Sequence, residues 1–255
     1  MLLTKCSNPI ELIPFLELDY ANNLYFFTYL SENITNPPIR FLTIKNHGEI
    51  ELVLLITPIH CCISTVNINH ISAIAGQLPS IDSIHVLGRR DFIEPLLNIS
   101  KGPERDQHLY SLSEFTLKTI VSSQKIESQR ASSANLNELI EFYNNNDKLF
   151  EAEGRLPGIL TWGKAYFVRK ENKIISCSLT TTETNDTAMI GSVYTIPEYR
   201  NEGYARDCML NLCRDLLTSN KKPYLFYKSD NALLGSMYHS LGFRPINTWM
   251  LASRK

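Results

Sequence analysis

The chain has 255 residues, with 25 Lys and Arg against 26 Asp and Glu and a formal net charge of −1. The cations are scattered rather than striped, which excludes the broad basic footprint of a nucleic-acid binder, and no apolar run reaches the length of a membrane span. The length suits two modest domains that each bury a core, with small molecules or peptides as the expected partners.

The opening MLLTKCSNPIE lacks the basic stretch and long apolar core of a signal peptide. Cys6, Cys61, Cys62, Cys177, Cys208 and Cys213 form no C-x-x-C pair and no zinc spacing, so they read as buried thiols of a cytoplasmic protein. Over residues 10–33, Leu12, Ile13, Leu16, Tyr20, Leu24, Phe27 and Leu30 recur at helical spacing and predict one or two helices, with Pro14 near a start or a kink. Residues 40–45 and 49–57 flank Asn46, His47 and Gly48, the signature of a hairpin. A strand over 61–66, a helix over 71–78, a strand over 84–87 and a helix over 91–99 follow, and Tyr110, Leu112, Phe115 and Leu117 suggest an edge strand. His60, His70 and His85 each lie beside an apolar run without a carboxylate at ligand spacing, so no metal site is expected. The Ser-rich stretch 122–125 is the best linker and sets the expected domains at 1–124 and 125–255.

Residues 129–131 finish a first strand of the second half, and Ser132, Ser133 or Asn135 caps a helix carrying Leu136, Leu139, Ile140 and Tyr143. Residues 165–169 and 173–182 read as antiparallel strands around Glu171 and Asn172, and 187–195 as the next strand, closed by Pro197. From Ala205 the apolar residues at 205, 208, 209, 212, 213, 216 and 217 lay one stripe along a helix; a short strand over 223–227 and a helix after Asn231 complete the order. Helix, hairpin, strand, helix, strand, helix occurs in both halves, which hints at a duplicated fold.

Arg200, Asn201, Glu202 and Gly203 sit where a strand hands over to a helix. A helix start presents unpaired N–H groups and the positive end of the macrodipole, Gly203 has no Cβ to obstruct an approaching diphosphate, and Arg200 adds a charge-assisted donor. Between residues 64 and 72, where the first half makes the same turn, there is no glycine, so no cofactor is expected there.

Arg200-Asn201-Glu202-Gly203-Tyr204-Ala205 resembles the R/Q-x-x-G-x-G/A motif of the GNAT acetyltransferase superfamily. Asn231, with Tyr238 seven residues on and Gly242-Phe243 four after that, resembles a second block of the same family. The resemblance covers about residues 126–255. It implies an α/β (α+β) fold, a mixed, mostly antiparallel sheet flanked by helices, with the first half a degenerate tandem copy. It also implies acetyl-CoA as cosubstrate, no metal, and an amine acceptor. The acyl-pantetheine arm would then run along the last strand, bonded to the main chain of Val193 and Thr195, with Tyr194 turned to the opposite face. The diphosphate would rest on residues 200–205, Asn231 would bond the pantetheine or cap its helix, and Tyr238 would protonate the CoA thiolate. Acceptor contacts would come from residues 144–147 and 150–162, including Glu151, Glu153 and Arg155, and Glu183 is a candidate base acting through water. The implied activity is N-acyl transfer, acetyl to a primary amine of a small molecule or peptide. The alternatives are a CoA-binding regulatory module without turnover, and an enzyme similar to glycine N-acyltransferase that uses a larger acyl-CoA. Oligomeric state has no signal in the sequence.

Overall fold

A computed structural model describes residues 2–31, 38–78, 80–116, 127–147 and 150–255, which divide into two compact units. The first holds Met1–Leu112, Tyr227–Ala232 and Ile246–Lys255; the second holds Ser113–Phe226 and Leu233–Pro245. The boundary expected near residue 124 and the linker over 122–125 lie outside the described residues. A single cut leaves out the return of Tyr227–Ala232 and of Ile246–Lys255 to the first unit.

In the first unit, β1 (Thr4–Lys5) precedes α1 (Ile13–Glu17) and α2 (Tyr20–Ser31). Pro14 falls in the first turn of α1, where its missing N–H costs nothing. β2 (Arg40–Asn46) and β3 (Glu49–Ile56) form the hairpin, with His47 at φ 50° and Gly48 at φ 89° making the turn. β4 (His60–Thr65), α3 (Asn69–Ala73), β5 (His85–Arg89), α4 (Arg90–Ile99) and β6 (Arg105–Phe115) follow. α3 is shorter than the predicted helix because Ile74, at φ −94° and ψ 0°, leaves the helical region. β6 starts earlier than Tyr110. Its first residue, Arg105, donates to the carbonyls of Ile81 and Ser83 (both 2.8 Å), Ile84 (3.1 Å) and Ala252 (3.3 Å), a knot that charge-only reading of the sequence does not reveal. His70 does have a carboxylate beside it: its Nε2 lies 3.3 Å from Glu51 Oε2, brought there by β3, and its Nδ1 lies 3.2 Å from Thr65 Oγ1.

The second unit runs β7 (Gln129–Arg130), α5 (Leu136–Asn146), α6 (Ala152–Trp162), β8 (Ala165–Lys170), β9 (Lys173–Glu183), β10 (Thr187–Thr195), α7 (Tyr204–Thr218), β11 (Lys222–Lys228), α8 (Ala232–Leu241) and the start of β12 (Phe243–Arg254), which belongs to the first unit from Ile246 on, as do the end of β11 and Ala232. Asn135 Oδ1 accepts the Ser132 N–H at 3.0 Å in a capping box ahead of α5, as the run of polar residues there suggested. β12 was not expected. Polar Arg244 and Asn247 break the apolar alternation that would announce it, yet Trp249–Ser253 pair antiparallel with β5.

Both units are mixed, mostly antiparallel sheets with helices. In the first, β1-β2-β3-β4-β5-β12 are neighbours in that order and only β4 and β5 run parallel; in the second the order is β11-β10-β9-β8-β7 and only β10 and β11 run parallel. Ile44, Leu52, Leu54, Ile63, Ile93 and Met250 anchor the first core, and Leu139, Phe142, Tyr143, Phe167 and Leu179 the second. Among the described residues no helix is long and apolar enough to cross a membrane.

Candidate active site

The second unit opens where its parallel pair separates. β10 pairs with β11 only from Thr187↔Lys222 to Ile190↔Leu225, yet β10 continues to Thr195. Ile196 N–H donates to Ile175 O at 2.9 Å, so by antiparallel alternation Thr195 turns its main-chain groups away from β9 and into the opening. A bulge bends β10 at the mouth of this opening. Gly191 pairs with Leu179 and Tyr194 with Cys177, leaving an extra residue on β10, and Ser192 sits at φ 47°. The Ser192 carbonyl accepts the Tyr143 hydroxyl at 2.7 Å from α5. Burial pushes the Tyr143 pKa well up, so this hydroxyl keeps its proton and stays a donor. Gly191 is required by space: a Cβ would stand 2.7 Å from Thr181 Cγ2.

Past Thr195 the chain turns through residues 197–203 into α7. Arg200 folds back, its Nε donating to Thr195 O at 3.0 Å and its guanidinium lying 5.4 Å over the Tyr194 ring. Asn201 (φ 66°) and Gly203 (φ 87°, ψ 3°) are both left-handed, and Gly203 is the N-cap. The first bond of α7 is Asp207 N–H to Gly203 O at 3.0 Å, so the N–H groups of Tyr204, Ala205 and Arg206 have no intrahelical acceptor and face outward from the helix start. Cations flank this start. Lys170 Nζ lies 4.9 Å from the Tyr204 ring and 5.6 Å from that of Tyr199, and Arg206 Nη1 bonds Ser240 Oγ at 3.2 Å. Buried Asp207 is tied down on the side of Ser128, its Oδ2 accepting Ser128 N–H (2.8 Å) and Asn211 Nδ2 (3.2 Å).

Residues 173–250, which span β9 to β12, match the family model described as FR47-like protein. A GNAT-family acetyltransferase from Colwellia psychrerythraea superposes with a TM-score of 0.71 at 10% identity over 100% of both chains. A Drosophila protein superposes at 0.71 with 11% identity over 98% of each chain. The chain has the GNAT fold. A tandem GNAT protein from the clavulanic acid biosynthesis pathway also superposes, at 0.55 with 10% identity, over 98% of this chain and 97% of that one. No curated protein sequence is matched.

Within this GNAT fold the predicted motif residues separate into three groups. Val193, Thr195, Arg200, Asn201, Glu202, Gly203 and Ala205 lie along one path from the bulge to the start of α7. Two of them differ from expectation in detail: the Thr195 carbonyl is already bonded by Arg200, and Arg200 reaches the strand rather than extending over the loop. Tyr194 and Tyr204 are anchors. The Tyr194 ring packs 6.0 Å from Phe142, and Tyr204 is buried with Val168, Ile175 and Cys208, so only its N–H faces the loop. Asn231 stands apart: it is exposed in the turn before α8, its N–H bonds Lys228 O at 3.0 Å, and it is counted with the first unit.

Tyr238 lies on α8, buried, with its ring 6.1 Å from Phe243, and burial pushes its pKa up to about 12. The carboxylate of Glu183 is engaged on both oxygens, by Thr180 Oγ1 at 2.8 Å and by Lys221 Nζ at 2.6 Å with Lys164 Nζ at 3.9 Å. Both Glu183 oxygens are thus occupied by partners within the fold. Of the acceptor-side charges, Glu153 accepts Asn144 Nδ2 at 3.1 Å and the Arg155 guanidinium lies 5.4 Å over Phe150. Sequence reading missed Gly191, Ser192, Lys170 and Arg206, and took Tyr143 only as a core residue. An isolated glycine inside a strand pattern was the available signal for the bulge.

Proposed function

We propose that the second unit is an N-acyltransferase that moves acetyl from acetyl-CoA to a primary amine of a small molecule or peptide. The observation that carries this reading is the continuous path from the opening between β10 and β11 to the free N–H groups at the start of α7. The main chain of Val193 and Thr195 would bond the pantetheine amides, and residues 200–205 would hold the diphosphate, as the left-handed Gly203 and the flanking cations favour. The thioester supplies the activated acyl group.

Transfer requires a neutral amine nitrogen to attack the carbonyl carbon; the C–S bond breaks and the amine proton ends on sulfur. Tyr238, with its pKa raised to about 12, is protonated at neutral pH, whereas an ordinary thiol ionises at about 9.0. It therefore acts as a hydrogen-bond donor to the departing thiolate more than as a complete proton donor. Coupled thiol release tests the reading across a panel of primary amines and acyl-CoAs. Steady release that needs both substrates is the expected result. Saturable acetyl-CoA binding with no release for any amine would make the chain a binding module instead, and preference for a longer acyl-CoA would replace acetyl as the group moved.

A further inference from the structure

The first unit has an opening of its own. Its parallel pair, β4 and β5, stays in register only at His60↔His85 and Cys61↔Val86, while β4 runs on to Thr65. Thr57 N–H bonds His60 O and Val66 N–H bonds Glu51 O, so the alternation with β3 turns the main-chain groups of Ile63 and Thr65 toward this opening. A pocket fills it, lined by residues of the α1–α2 segment, the end of β4, Arg89 and Phe92.

Its chemistry differs from that of the second unit. Three donors of the turn after β4 are spent: Asn67 N–H is taken by Thr65 Oγ1 (3.2 Å), Asn69 N–H by Asn67 Oδ1 (3.0 Å) and His70 N–H by Asn67 O (3.0 Å). Acceptors are available instead. Ser64, 7% exposed, lines the pocket and its hydroxyl has no hydrogen-bond partner among the described residues; Asn23, 2% exposed, uses its amide N–H on Leu16 O at 2.9 Å and leaves Oδ1 open. Asp19 adds a carboxylate, positioned by Asn22 Nδ2 (3.0 and 2.9 Å to its two oxygens) and 3.7 Å from Arg89 Nη1, and the Arg89 guanidinium is held by Asp91 through its Nε at 3.0 Å and stacked 4.3 Å over Phe92. Asp19 and Arg89 are the two charged residues that line the pocket, and Arg89 is turned onto Asp91 outside it. Leu18 and Val66, 76% and 61% exposed, form an apolar rim.

We propose that this opening binds the ammonium head of a small amphiphilic primary amine. Three N–H donors of an ammonium match three acceptors, the Asp19 carboxylate, the Ser64 hydroxyl oxygen and Asn23 Oδ1, and Leu18 and Val66 cover the apolar body. A carboxylate ligand would meet the Asp19 carboxylate and an Arg89 already engaged by Asp91 and Phe92. The proposal is independent of the acyl-transfer reading of the second unit.

Calorimetric titration of the intact chain, without acyl-CoA, tests it with hexylamine and phenethylamine against hexanol and hexanoate. Saturable binding of the amines alone is expected. Asp19→Asn, at a partly exposed position, should weaken it about tenfold, and Ser64→Ala, which removes one small group, about threefold. Both variants should melt as the parent does, and Ser64→Ala serves alone if Asp19→Asn fails to fold. Absence of saturable amine binding, equal affinity for hexanol, or parental affinity in the variant tested would overturn the proposal.

Discussion

At the scale of single residues, the active-site reading rests on a few hydroxyls and one glycine. Tyr238 keeps its ring packing against Phe243 when the hydroxyl is removed, so Tyr238→Phe should bind acetyl-CoA as the parent does and lose about 10²–10³ in kcat. Unchanged kcat under conditions where chemistry is rate-limiting would remove Tyr238 from the mechanism. Tyr143→Phe is a different case. It leaves the Ser192 carbonyl without its 2.7 Å donor and the bulge at φ 47° less determined, so a thermal melt should show a loss of about 1–2 kcal/mol and steady-state kinetics a raised KM for acetyl-CoA. Parental stability and KM together would show that the bulge holds its shape without Tyr143. The glycine was legible from the sequence because Pro197 and Gly203 punctuate a strand-to-helix handover. Ser192 and Tyr143 were not, because their roles arise from a β9–β10 register shift and a contact between residues 49 apart in the chain.

At the scale of elements, periodicity located most strands and helices, since each half-buried element writes its burial into its spacing. It missed β12 and overextended α3, where pairing with β5 and a local break at Ile74 decided the outcome. The burial that hides the cysteines has its own consequence for these sheets. Cys61 on β4 and Cys177 on β9 are fully buried, and desolvation pushes both thiols up to about 12 from an ordinary 9.0. Their folded-state pKa values lie above the unfolded ones, so the stability they contribute is complete below pH 9 and is lost as pH rises toward 12. Calorimetric melts should show Tm steady to about pH 9 and falling above it; a flat Tm to pH 11 would mean that these thiols ionise without unfolding their strands.

At the scale of the whole molecule, one layout occurs twice and the two copies have diverged at the same turn. The second unit leaves its N–H groups free after a left-handed glycine, whereas the first spends the equivalent donors on Thr65 and Asn67. Sequence order hinted at the duplication, and the missing glycine at the loss. The return of Ile246–Lys255 to the first unit was not visible, and it means that a fragment beginning near residue 126 would carry β12 without its β5 partner. Assignment of function is therefore best made on the intact chain. Titration calorimetry with acetyl-CoA, on the parent and on Gly203→Val, is the most direct measurement, because a branched side chain at φ 87° both strains the turn and crowds the helix start. One molecule bound per parent chain and none by the folded variant is the expected result; two molecules per chain, or one that Gly203→Val still binds with parental affinity, would contradict it.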